Sequence, residues 1–139
     1  MKKIIKMFII FLLITNLFSC ELYMDQRYRV TLMNKANYSI GCYFSLGGDG
    51  IFYPDSLPAT DKHIVHDIKT NTEYYYDSSL KWDVIYSSLP HDTMSVFIFH
   101  SDTLKKYTWE DVRNGYKILK RYDLSLEDLK QMNWKITYP

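Results

Sequence analysis

The chain has 139 residues, and its 17 Lys and Arg against 16 Asp and Glu leave a net charge of +1. That balance excludes the clustered basic excess with which a nucleic-acid-binding protein neutralises phosphates. Its length predicts one domain, and with hydrophobic residues at 47% the chain can build a core without disulfide staples.

Residues 1–19 read MKKIIKMFIIFLLITNLFS, with Lys2, Lys3 and Lys6 ahead of a continuous apolar run over residues 7–13. The run is shorter than the roughly 20 residues of a spanning helix. A charged start and a short apolar stretch predict a cleaved signal peptide. The residues Leu17, Phe18, Ser19 and Cys20 that follow resemble the lipobox of bacterial lipoproteins. That resemblance implies cleavage after Ser19, a diacylglycerol on the Cys20 sulfur and acylation of the new amino group. Several acyl chains anchor a protein stably where a single chain is marginal. The predicted organisation is a signal peptide over residues 1–19, a lipidated tether over 20–26 and one β-rich domain over 27–139. The mature chain would carry 14 basic against 16 acidic residues, and Cys42 would be its last free thiol, without an intrachain disulfide partner.

From residue 27 onward the dominant period is two, the signature of strands. Tyr28, Val30 and Leu32 alternate with Arg29 and Thr31. After a polar connection over 34–37, Tyr38, Ile40, Cys42, Phe44 and Leu46 alternate in turn, which predicts a hairpin with Cys42 as a buried small hydrophobe. Residues 47–62 hold glycines, Pro54 and Pro58 and read as a long irregular connection; LGGDG within it has neither a P-loop lysine nor a following helix signal, so it reads as a turn. A short strand is expected over 63–68 and a helical turn over 80–87 using Trp82 and Ile85. Residues 94–100 are nearly all apolar, the pattern of a strand covered on both faces, and should lie centrally. Thr108 and Ser125 each stand before acidic residues at helix-capping spacing, so two short helices begin there. Strands are expected over 116–122 and through Trp134, Ile136 and Tyr138. About six strands with two or three short helical connections predict an antiparallel β-sandwich, Ig-like in form, with a single sheet backed by helices as the alternative.

The lipobox together with YKILKRYDLSLEDLKQMNWKITYP at the C-terminus resembles small lipoproteins of Bacteroides-type Gram-negative bacteria. The resemblance implies an envelope protein, lipid-anchored in the outer membrane. It also implies candidate O-glycan acceptors at Ser56, Thr93 and Thr103, each in an Asp, Ser/Thr, apolar triplet.

Chemistry-bearing residues are sparse. His63, His66, His91 and His100 each have an aspartate within two residues, and they are the candidates for a metal site or a catalytic base. Their spacing matches no zinc signature, and His63 and His66 would point to opposite faces of a strand. Ser87, Ser88 and Ser95 lie near His91 in sequence without a nucleophile elbow. No cofactor motif is present, and the expected function is therefore a non-catalytic binding or assembly module, with an envelope enzyme or metal-binding protein as the alternative. Aromatic residues make up 17% of the chain, and Tyr74, Tyr75, Tyr76 and Trp82 form the candidate binding surface for an envelope protein or a glycan.

Overall fold

The computed structural model describes residues 28–47, 50–55 and 57–139, so the expected signal peptide, Cys20, the expected tether and Ser56 lie outside the described residues. Two sheets organise the fold. The three-stranded sheet runs in the order β4 (Glu73–Ser78), β1 (Tyr28–Asn34), β7 (Lys135–Tyr138), and the four-stranded sheet in the order β3 (Val65–Ile68), β2 (Ile40–Ser45), β5 (Met94–His100), β6 (Lys120–Leu124). Among the described residues four short helices connect them: α1 (Trp82–Ser88), α2 (Ser101–Lys106), α3 (Trp109–Asn114) and α4 (Leu126–Gln131).

The main core lies where both sheets contribute. Val30 and Leu32 of β1 and Ile136 of β7 meet Ile40, Cys42 and Phe44 of β2 and Met94, Val96 and Ile98 of β5. Trp82 and Tyr86 of α1 and Leu129 of α4 belong to the same cluster. The intervening residues Tyr43, Phe97 and Phe99 face the other side of the four-stranded sheet, where Leu57, Ile64 and Val112 cover them. Trp109 joins this layer and donates its indole N–H to the Pro58 carbonyl at 3.0 Å. Here is the reason for the unbroken apolar run of β5: alternate residues serve two different cores. As expected, β5 is central, hydrogen-bonded to β2 on one side and β6 on the other. Close approach of α2 is possible because β2 carries Gly41, where a Cβ would sit 2.5 Å from Leu104 and 2.8 Å from the Val65 carbonyl.

The predicted hairpin does not form. Both sides of β1 are taken, by β4 antiparallel and β7 parallel, while β2 pairs with β3 and β5. The connection after β1 instead crosses from one sheet to the other. Asn34 holds this crossing: its buried side chain donates to the carbonyls of Tyr38 and Ile68, both at 2.9 Å, and accepts from the Ala36 N–H at 3.0 Å. A second departure is the parallel β1–β7 pair where antiparallel strands were expected, a pairing allowed because nearly the whole chain separates the two. A third is α2, which continues directly from β5 with His100 as its cap; His100 Nδ1 accepts the Asp102 N–H at 3.1 Å. Lastly, β6 begins only at Lys120, after Tyr116 takes a left-handed φ of 46°.

Candidate functional site

Strands β3 and β4 are the edges of their sheets, and on that side the two sheets leave a cleft of about 340 Å³. Its walls are Phe44 of β2, Val65 of β3 and Tyr74 and Tyr76 of β4, with Leu46 and His63 at the flanking connections and Tyr43 also contributing. The alternation of β4 builds one wall. Tyr74 lies opposite Leu32 and Tyr76 opposite Val30 on β1, so both rings turn toward the core face. Phe44 orders them: the Tyr76 ring stacks on it at 4.9 Å and 25°, and the Tyr74 ring lies tilted at 6.1 Å.

Burial pushes the Tyr76 hydroxyl up from its ordinary pKa. Tyr74 shifts the same way, first through burial and then through its neighbours Cys42, Tyr76 and Asp77. At neutral pH both hydroxyls are therefore protonated, able to donate and to accept. Neither has a hydrogen-bond partner among the described residues. A cleft of this size, apolar in its walls and carrying a few polar tips, has the room and chemistry of a site for a small amphipathic group.

The four aromatics singled out in the sequence divide among three places. Tyr74 and Tyr76 line the cleft. Tyr75 faces the opposite side of the sheet, 47% exposed, where its hydroxyl donates to Glu73 at 2.7 Å and the Arg29 guanidinium covers its ring at 4.4 Å. Trp82 is only 4% exposed and packs in the core, 6.1 Å from Tyr76 and 6.2 Å from Trp134. A single surface made of all four does not exist; Phe44 and His63 complete the part that forms a cleft, and no local pattern in the sequence points to either.

The histidines are dispersed. His63 borders the cleft, His66 is exposed on β3, His91 meets Tyr53 edge-on at 6.0 Å, and His100 stacks on Tyr38 at 4.7 Å. Among the described residues no group of three His, Cys, Asp or Glu side chains converges as metal ligands would. Ser95 is buried beside Asp123, to which it donates at 2.6 Å, and the adjoining basic group is Arg121 and not a histidine. Arg121 also donates to Asp123 at 2.7 Å and to the Pro54 carbonyl at 2.7 Å, so this cluster clips the long connection onto β6. The strand register foretells it, since Ser95 lies opposite Asp123 and Phe97 opposite Arg121.

Of the candidate glycan acceptors, Thr93 lies in the turn before β5 and donates its hydroxyl to the His91 carbonyl at 2.8 Å, while Thr103 is half-buried within α2. Among the described residues no helix is long and apolar enough to cross a membrane. Comparison with known proteins adds no relative to this geometry: no family model, no curated protein and no solved structure matches the chain.

Proposed function

We propose that the protein is an envelope lipoprotein of a Gram-negative bacterium, acylated at Cys20, whose domain is a non-catalytic binding module with the Phe44, Tyr74 and Tyr76 cleft as its site. The observation that carries this reading is the pair of protonated tyrosine hydroxyls held on ordered rings with no hydrogen-bond partner among the described residues. Polar tips on rigid apolar bodies are what recognition surfaces use, because little side-chain freedom is lost on binding. The occupant we favour is a side chain of an envelope protein or a sugar ring, each small enough for about 340 Å³. Two sheets contributing to one core support the sandwich arrangement; its Ig-like form is the narrower proposal. O-glycans on Thr93 and Thr103 belong to the same proposal, with intact mass of native protein as the check.

Site-specific photocrosslinking in the native cell tests the cleft. A benzophenone amino acid at position 74 should give a discrete adduct, and the same group at position 75, on the opposite face, should not. Equal crosslinking from both positions, or none from position 74, would remove the cleft from consideration.

A further inference from the structure

We propose that the end of the domain made by the start of β1, α1 and α4 docks on an anionic phospholipid surface and holds the domain in one orientation on its membrane. The inference rests on the lipoprotein reading, since Cys20 is what brings a bilayer near. Tyr28, where the described chain begins, stands eight residues after Cys20. Fully extended, that span reaches at most roughly 28 Å.

A hollow of about 420 Å³ opens at this end, bordered by Tyr28 and Arg29 of β1, Lys81 and Trp82 at the start of α1, and Lys130 and Trp134 around the end of α4. Arg29 is held by Asp77 at 2.7 Å, and Asp83 also borders the hollow. Lys81 and Lys130 have no carboxylate partner among the described residues, which leaves two cations at the rim. Beside them in the chain are three exposed aliphatic side chains: Leu80 at 56%, Val84 at 51% and Met132 at 39%. A headgroup phosphate supplies what the lysines lack, while apolar tips beside it enter the acyl boundary. Aliphatic tips, lysines and tryptophan together at the point where a lipidated tether arrives fit a bilayer better than a second folded protein.

The test uses the full lipidated protein, with intact mass first establishing that Cys20 carries acyl chains. Cys42 is fully buried, so in the variants Leu80→Cys and Val84→Cys the new thiol is the one that takes a polarity-sensitive fluorophore. Leu119→Cys, at 41% exposure in the other sheet's β6 approach, is the control. On vesicles of phosphatidylethanolamine and phosphatidylglycerol, labels at 80 and 84 should shift to the blue and be quenched by nitroxide-bearing acyl chains, and the label at 119 should not. Reversing charge with Lys81→Glu and Lys130→Glu should lower the ratio of docked to undocked protein by at least about fivefold per lysine. Phosphatidylcholine vesicles should weaken docking of the unchanged protein as well. Identical emission at all three positions overturns the inference. So does a blue shift that the lipid-borne quencher and the charge reversal leave untouched, because the tether or a protein would then cover the patch. An unacylated Cys20 sinks the lipoprotein reading itself; acyl chains without docking sink this inference alone.

Discussion

Three residues of the core show how a single side chain sets the path of the backbone. Asn34 satisfies two carbonyls and one N–H at the crossing between sheets, all with one buried amide. Asn34→Ala leaves those groups unpaired and should cost about 3 kcal/mol in urea unfolding, since each orphaned buried polar group costs on the order of 1 to 3 kcal/mol. A loss below 1 kcal/mol would mean that water replaces the amide without penalty. At Gly41 the constraint is steric. A methyl there meets both Leu104 and a backbone carbonyl, so Gly41→Ala should destabilise by about 2 kcal/mol, the usual scale of overpacking. Cys42 is fully buried on β2, and burial pushes its thiol far above the ordinary range. It should resist thiol reagents in the native state and react only as the domain unfolds. Fast labelling of native protein would contradict the register of β2 against β5.

Among the elements, the short helices depend on their first turns, because isolated segments of six or seven residues do not hold themselves. Ser125 and Asp128 form a capping box at α4, with the Ser125 N–H donating to Asp128 at 2.8 Å and the Asp128 N–H to the Ser125 hydroxyl at 3.2 Å. The Ser125 hydroxyl, donating to the Asp128 carboxylate at 2.6 Å, and then the Ser125 N–H hold that carboxyl below its ordinary pKa. Ser125→Ala should cost about 1 kcal/mol, read as a lowered denaturation midpoint at unchanged slope. Strand β4 separates two kinds of tyrosine. Truncation of Tyr75, outside the core, should change stability by less than about 1 kcal/mol, whereas Tyr76→Ala should cost about 2 kcal/mol as a half-buried ring packed against the core. Comparable losses at both positions would refute the alternation that builds the cleft.

The whole molecule carries 13 tyrosines, and several are held protonated by the fold. Burial, followed by a hydrogen bond with Tyr38, pushes Tyr138 up to about 12. Burial also raises Tyr74, Tyr76, Tyr86 and Tyr122. A phenol whose folded pKa is raised stabilises the fold fully below its unfolded value, near 10, and that stability is lost as pH climbs through the folded value. Stability should therefore decline between about pH 10 and 12, with the buried tyrosines appearing as tyrosinate only as the two sheets separate. A fully reversible titration of all tyrosines near pH 10, with the fold intact, would exclude this coupling.

Local interactions are legible in a linear chain, and here they determined much. The alternation of β1, the unbroken run of β5 and the caps at Thr108 and Ser125 all follow from contacts within a few residues, whereas β4 is a seventh strand beyond the six expected. Helix α2 carries no such local signal, because its cap is a histidine and Leu104 is its only large apolar residue. Partner choice was beyond local pattern altogether. Nothing in residues 28–46 tells whether β2 turns back on β1 or crosses to another sheet; that depends on β4 and β7 claiming both sides of β1. Likewise, alternation turned Tyr74 and Tyr76 inward, but only the tertiary structure brought Phe44, Val65 and His63 from other segments to make a cleft of them. Side-chain direction is a property of the strand, whereas enclosure requires surfaces that meet only when sheets pack.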